Sequence, residues 1–576
     1  MILTVCRPGH EDMAIEASDR ATIMEALALG GLHLDAPCGG RGRCGKCLVK
    51  ASGRLEPPGE REAGLLEGHE GYRLACLARC AGDASVGLAA ESLFKAVKGL
   101  GWSAPYSLDP PIRLLAVPER GRQDQRSLSE LMGLEAGRRQ ALESIGALEA
   151  DRAAAHVLAC HGEILAAFPA GQEAPATLAA ALDLGTTGLS VAVLDLAGRE
   201  IVAMGTALNP QTAIGADVIS RITSAAQSAE DLRGLQDLVL DGLRDLVASA
   251  VGQPTARTIS GAVISGNTTM LHLLAGVNPK SLAQAPYRPI FTGALDVSWL
   301  APRLGLAGHA MVTTTPSISA FVGGDITSGM LAIKLAERPG TRMFIDIGTN
   351  GEIVLSRGGR LVATSCAAGP ALEGMNIACG TRAVTGAVDG FRLGPGLAPA
   401  FTTIGQAPAI GLCGSGLIDV CAELVKAGLI SRTGKMVQGP GSPPELRDGR
   451  YHLTDSVFLG QKDVRQVQLA KGAIAAAMRM LLERLGLSMA DLDEVIVAGS
   501  FGFHLRAESL SDIGLIPGGY RGPVTFVGNS SLAGAARLLL DRTARDEIGR
   551  LPGQVEVIEL AFDPRFQETF LAELGF

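Results

Sequence analysis

Apolar and polar residues alternate along ILTVCRP (2–8) and MAIEAS (13–18), a period of two that predicts a strand hairpin. The next stretch, ATIMEALAL (21–29), shifts to helical spacing and predicts a short helix. Far downstream, one design occurs twice. TLAAALDLGTTGLSVAVLDLAGREI (177–201) is an apolar run closing in Asp183, a Gly-Thr-Thr turn and a second apolar run, which predicts two adjacent strands. TRMFIDIGTNGEIVL (341–355) repeats it around Asp346. Two further glycine-rich turns stand beside apolar runs in GLCGSGLIDV (411–420) and VIVAGSFGFHL (495–505). FVGGDITSGMLAI (321–333) and VQLAKGAIAAAMRML (467–481) predict helices whose small residues, Gly323, Gly324, Ala470 and Gly472, suit close crossing.

Between these patterns lie two weakly periodic stretches. KAVKGLGWSAPYSLDPPI (95–112) gathers Gly, Pro and Ser and reads as a linker, and PAGQEAPA (169–176) marks a second boundary. Residues 113–168 carry helical spacing in LSELMGLEAGRRQALESIGAL, so a small, largely helical or mixed spacer is expected. The predicted units are 1–94, the linker 95–112, a middle domain 113–176 and a large domain 177–576, whose repeated design implies two facing halves.

Composition narrows the class. At 576 residues the chain needs several cores, and 74 glycines with 47% hydrophobic and 4% aromatic content point to multidomain α/β architecture rich in tight turns. A net charge of −8 without a basic run argues against nucleic acid as a main partner. No run approaches a membrane span, and MILTVCRPGHEDM has early charges of both signs and no apolar core of a secretory signal. A cytoplasmic protein without membrane attachment is expected.

Five of the eleven cysteines fall between positions 38 and 80. Cys38, Cys44 and Cys47 are spaced C-x5-C-x2-C, and Cys76 follows in GYRLACLARC. Plant-type [2Fe–2S] ferredoxins use C-x4-C-x2-C with a distant fourth cysteine, and a loop one residue longer can wrap the same cluster. Glycines 39, 40, 42 and 45 let the backbone curl close to the sulfides. The near-match of residues 40–47 to a P-loop fails chemically, because Cys47 offers a soft thiolate where Mg²⁺ needs a hydroxyl oxygen. A structural zinc site is the competing reading, disfavoured because only one C-x2-C knuckle is present. Cys80 rivals Cys76 as fourth ligand. With its RLAC segment, the stretch 1–94 resembles the β-grasp ferredoxins, and that resemblance favours Cys76.

The turn after Asp183 can offer N–H groups and hydroxyls to phosphates, while the carboxylate can hold Mg²⁺ through water. Four such elements in order resemble the actin, Hsp70 and sugar-kinase (ASKHA) ATPases, whose domain is a duplicated RNase H-like fold. That resemblance implies ATP and Mg²⁺ as ligands. It matches Asp183, Gly185, Thr186 and Thr187 to a first phosphate loop, and Asp346, Gly348, Thr349 and Asn350 to a second. Gly414, Ser415 and Gly416 would reach phosphate or ribose, and Gly499, Ser500 and Gly502 would border the adenosine; Ser500 stands where many relatives carry glycine. The 321–333 and 467–481 helices look like the connecting pair that hinges such clefts. Asp325, in VGGD, is a candidate base by position, with a helix-cap role as its alternative. His272, His504 and the scattered Cys366, Cys379, Cys413 and Cys421 read as packed residues rather than ligands.

The stretches NPQTAIGADVISRI (209–222), GNTTMLHLLAGVNP (266–279), AAGPALEG (367–374), QKDVRQVQLAKGAI (461–474) and VGNSSLAGAARLLL (527–540) extend the likeness over most of the chain, which resembles the reductive activators of corrinoid proteins. The resemblance implies ATP-dependent one-electron reduction of Co(II) to Co(I) in a corrinoid (cobalamin-binding) methyl-transfer protein, through a [2Fe–2S] cluster filled by an upstream electron donor, in a homodimer. Three other readings compete: an ATP-coupled activator of another low-potential metalloenzyme, a sugar or metabolite kinase with a redox-sensing ferredoxin domain, and a non-catalytic electron carrier whose C-terminal domain only binds a partner.

Overall fold

The computed structural model describes residues 1–6, 13–18, 20–29, 47–66, 71–87, 108–118, 124–149, 154–170, 177–215, 217–381, 383–439, 442–499 and 505–576. Cys38, Cys44, Ser500, Gly502, His504 and the linker up to residue 107 lie outside the described residues.

The first unit is a five-stranded sheet in the order β2-β1-β5-β3-β4, formed by Ile2–Cys6 (β1), Met13–Glu16 (β2), Leu48–Leu55 (β3), Tyr72–Leu74 (β4) and Cys80–Gly87 (β5). β1 runs antiparallel to β2, as the hairpin pattern predicts, and parallel to β5. The alternation drives Leu3 and Val5 inward, where Ile23 and Leu27 of the Ile23–Leu29 helix cover them. Thr22 and Glu25 start that helix by exchanging hydrogen bonds with each other's backbone N–H.

The middle unit is mixed rather than largely helical. Ile112–Ala116 (β6), Ala154–Cys160 (β7) and Glu163–Pro169 (β8) form an antiparallel sheet, flanked by two helices, Leu128–Met132 and Arg139–Glu149. Apolar runs such as VLAC and ILAAF read equally as helix or strand, and pairing with one another settles them as strands. Ile112, placed in the linker by composition, begins β6.

Residues 177–576 form two lobes built on one plan. The first holds Leu178–Leu184 (β9), Gly188–Asp195 (β10), Glu200–Leu208 (β11), Gly261–Gly266 (β12) and Met311–Thr314 (β13), ordered β11-β10-β9-β12-β13. The second holds Thr341–Ile347 (β14), Gly351–Arg357 (β15), Arg360–Cys366 (β16), three strands of a side sheet (Ala387–Leu393, Pro399–Thr403 and Gly411–Leu412; β17–β19), three of another (Leu446–Arg447, Arg450–His452 and Phe458–Gly460; β20–β22), and then Glu494–Ala498 (β23), Val524–Gly528 (β24) and Val555–Val557 (β25). Its main sheet is ordered β24-β23-β14-β15-β16-β25. Read outward from β9 or β14, each lobe has an antiparallel hairpin and third strand on one side and two parallel strands on the other. This is the duplication the repeated motif implies.

One helix assignment is corrected. The Gly324–Ile333 helix crosses the Ser530–Leu540 helix, not the Gln461–Arg484 helix that contains 467–481. A side chain at Gly534 would collide with the Ser328 carbonyl, so the crossing is set by that glycine. Gly472 instead lets Gln461–Arg484 approach the backbone of Glu573, near the C-terminal helix Arg565–Ala572.

Candidate functional site

The described part of the cysteine region brings two predicted ligands together. Cys47 enters β3 and Cys76 follows β4; both are buried, and their sulfurs lie 3.2 Å apart. Ala75 N–H donates to the Cys47 carbonyl, which ties the two segments together. Cys80 is spent differently: it opens β5, fully buried, with backbone bonds to Ala21, and burial raises its thiol pKa. Two buried thiols at this separation fit one end of a thiolate-held cluster.

The second site lies where the lobes meet. The Gly185 carbonyl accepts from Asn209 Nδ2 at 2.8 Å, and the Thr186 carbonyl from Arg221 Nη2 at 2.5 Å. Arg221 is fully buried and bound also to the Gly215 carbonyl (2.9 Å) and Gln211 Oε1 (3.1 Å). In a trans peptide the N–H opposes the C=O, so drawing these carbonyls inward turns the N–H groups of Thr186 and Thr187 toward the cleft. Asn267 Nδ2 donates to Thr186 Oγ1 at 3.0 Å while its Oδ1 caps the following helix. Thr187 Oγ1 reaches within 3.4 Å of Thr349 Oγ1 in the second turn, so the two repeated turns face each other.

Beneath them sit carboxylates from several elements. Asp183 Oδ1 accepts from Ser531 Oγ and Oδ2 from Asn529 Nδ2, each at 2.7 Å. Asp325, in the first turn of Gly324–Ile333, accepts from Ile326 N–H at 2.9 Å; the N-cap is Gly323, so Asp325 is not the cap. Asp346 and Glu352 are paired across β14 and β15, and Glu352 accepts from Ser365 Oγ at 3.2 Å. Glu373 places both oxygens 3.4 Å from Thr349 Oγ1. All five are packed into the protein yet keep some surface toward the cleft. Burial, relieved in part by Ser531 and Asn529, raises Asp183. Burial and then Asp183 push Asp325 up to about 7. Burial, then Asp325, Asp183 and Glu373, push Asp346 up to about 8. Glu352 is raised well above the ordinary range by burial, Asp325 and Asp346.

Such a cluster stores repulsion that a cation relieves. Among the described residues no three His, Cys, Asp or Glu side chains form a ready ligand set. The donors therefore suit Mg²⁺ held through its water shell, the ion's usual habit beside phosphates.

The remaining predicted residues divide. Gly499 follows β23 with φ +120°, and a side chain there would collide with the Ile347 carbonyl before the second turn. Gly348 and Asn350 share a backbone bond of 2.9 Å that shapes that turn. Gly414, Ser415 and Gly416 open the Gly414–Lys426 helix, but the Ser415 hydroxyl is buried and donates to the Asp389 carbonyl at 2.8 Å. Only first-turn N–H groups are offered there. His272 is packed as expected, between the Thr268 carbonyl and Ile290 N–H and stacked on Phe291. Cys366, Cys413 and Cys421 are buried, whereas Cys379 is only half-buried. Asn267, Glu352, Glu373, Asn529 and Ser531 all lie in motif-bearing stretches without standing out as site residues there; a polar residue breaking an apolar or glycine-rich run is their only signal in the sequence.

Comparison with known proteins agrees with the fold. The 2Fe-2S iron-sulfur cluster binding domain matches residues 8–81, the RACo middle region 178–338, and the C-terminal domain of RACo, the ASKHA domain, 340–576. The family's middle region is thus the first lobe, not the small unit before it. The chain is 28% identical over 595 residues to the corrinoid activation enzyme RamQ of Eubacterium limosum, covering 98% of this chain and 97% of that one. It is 26% identical over 433 residues to the [Co(II) methylated amine-specific corrinoid protein] reductase of Methanosarcina barkeri, covering 69% and 76%. A solved structure, the reductive activator for corrinoid,iron-sulfur protein, superposes with a TM-score of 0.76 at 30% identity, covering 100% and 98%.

Proposed function

The chain belongs to the reductive activators of corrinoid proteins, and from that premise we propose how its residues divide the work. It is an ATP-coupled reductive activase: it returns a corrinoid protein from Co(II) to Co(I), with a [2Fe–2S] cluster and Mg-ATP as its cofactors. One observation carries the division: two copies of a strand–turn–strand unit converge on a carboxylate cluster, in a chain that also pairs buried Cys47 and Cys76.

Cys38, Cys44, Cys47 and Cys76 hold the cluster, with Cys47 and Cys76 as neighbours at one end of the cradle. A [2Fe–2S] cluster carries one electron at a time, which matches the single electron that Co(II) requires. An upstream donor reloads it between turnovers. Thr186, Thr187, Gly185 and Gly348–Asn350 bind the phosphates from opposite lobes. Asp183 and Asp346 would hold Mg²⁺, and the first turn at Gly414–Gly416 and Gly499 flank the nucleoside. Because the turns belong to different lobes, a ligand touching both favours the closed arrangement. That is the two-state element through which nucleotide can bias the complex with the corrinoid partner.

Separation of the two halves tests this. Cys47→Ser and Cys76→Ser should erase the cluster's visible spectrum while ATP turnover persists. Asp183→Ala and Asp346→Ala should keep the spectrum and lose ATP-dependent Co(I) formation. Aspartate variants that still form Co(I) at the wild-type rate with ATP would remove the nucleotide assignment.

A further inference from the structure

Glu373 stands apart from the other four carboxylates. It ends the 3-10 turn Pro370–Glu373 between Gly369 (φ +73°) and Gly374 (φ +80°), and a side chain at Gly374 would collide with the Thr381 carbonyl. The turn is therefore fixed, and with it the direction from which Glu373 enters the cleft. Both its oxygens lie 3.4 Å from Thr349 Oγ1, itself 3.4 Å from Thr187 Oγ1. The carboxylate thus hangs over the junction of the two turns.

None of the other four carboxylates bonds a hydroxyl of the two turns. Asp183 has one oxygen on Ser531 and the other on Asn529. Asp325 is folded back onto its own helix start at Ile326 N–H. Asp346 and Glu352 form a cross-strand pair beneath the second turn, with Glu352 tied to Ser365. If the two turns grip the terminal phosphate of ATP, as proposed above, Glu373 is the acid that stands at the turns' own hydroxyls. A negative group there repels phosphate, so it is a poor choice for binding and a good one for taking a proton.

We propose that Glu373, rather than Asp325, is the general base for ATP hydrolysis. One carboxylate oxygen accepts a proton from the attacking water as the water oxygen bonds to the γ-phosphorus. The bond from that phosphorus to the β–γ bridging oxygen breaks, its electron pair leaves on ADP, and the proton returns to the inorganic phosphate. Thr349 holds the carboxylate in register.

The test uses the full-length, cluster-loaded protein with Mg-ATP. Glu373→Gln keeps an acceptor for Thr349 but cannot take the proton, so kcat for ATP hydrolysis should fall by about 10²-fold or more. The dissociation constant for a mant-labelled ATP should stay within about threefold or tighten, because the charge removed is repulsive. After incubation and rapid gel filtration, the variant should retain ATP where the wild type retains ADP. Glu373→Asp, which keeps the charge but withdraws it by one methylene, should lose an intermediate amount, and it serves if the glutamine variant does not fold. Turnover of Glu373→Gln within threefold of wild type, or loss of ATP binding along with turnover, overturns the proposal. Failure of the wild type to bind ATP overturns the reading of the cleft and this inference with it.

Discussion

Asp183 and Asp346 close equivalent strands of equivalent sheets and precede nearly the same turn, yet the protein treats them differently. Asp183 has a hydroxyl and an amide on its two oxygens, both delivered by the start of the Ser530–Leu540 helix. Burial raises both, but Asp346 also has acids for neighbours, and Asp325, Asp183 and Glu373 raise it further. A duplicated fold has been given one satisfied carboxylate and one left in repulsion. The first ties the lobes together without ligand, because its partners come from an element that crosses behind both. The second is costly to ionise until a cation arrives, so ligand entry and lobe geometry become linked.

The largest effect on this contrast comes from separating the helices that carry it. Gly534→Val drives a branched side chain into the Ser328 backbone and should cost about 3 kcal/mol, with Asn529 and Ser531 displaced from Asp183; urea unfolding measures it. Next come the aspartates themselves. Asp183→Ala strips acceptors from buried Ser531 and half-buried Asn529 and should destabilise the nucleotide-free protein by about 1–3 kcal/mol. Asp346→Asn removes repulsion and should be neutral or stabilising at pH 8. If both variants lose stability equally, the asymmetry is wrong.

A pH series sharpens the same point. Asp346 and Asp325 are raised from 3.8 to about 8 and about 7, so the folded state binds more protons than the unfolded chain between those values. Their contribution to stability is full below about pH 3.8 and is lost as pH rises through 7 and 8. The melting temperature without nucleotide should therefore fall over that window, less steeply in Asp346→Asn or with Mg-ATP bound. The smallest effect concerns a contact between the lobes, where Phe562 of the second meets Tyr287 of the first with ring centroids 5.6 Å apart. Phe562→Ala should weaken ATP binding by roughly 0.5–1.5 kcal/mol, the worth of an aromatic contact, in a titration with mant-labelled ATP.

Much of this was legible in the sequence because it is local or repeated. The hairpins around DLGTTG and DIGTNG follow from apolar runs broken by turn residues, and the short helix at 23–29 from its spacing. What failed was non-local. Ala470 and Gly472 announce a close approach but not to what, and the approach proved to be to Glu573, while the crossing partner of Gly324–Ile333 is marked by Gly534. In the middle unit, strand pairing decided apolar runs that periodicity left ambiguous. At the site, Asp183 stood out by its motif, but its partners Asn529 and Ser531 lie some 350 positions away and only folding joins them.

The central claim is that nucleotide held between the two turns enables one electron to pass from the cysteine-bound cluster to cobalt. Under anaerobic conditions, the reduced protein mixed with a Co(II) corrinoid protein should produce the Co(I) absorption band on addition of Mg-ATP, and should produce little of it without ATP. Co(I) forming at the same rate and to the same extent without nucleotide, or failing to form with ATP across several corrinoid partners, contradicts the account.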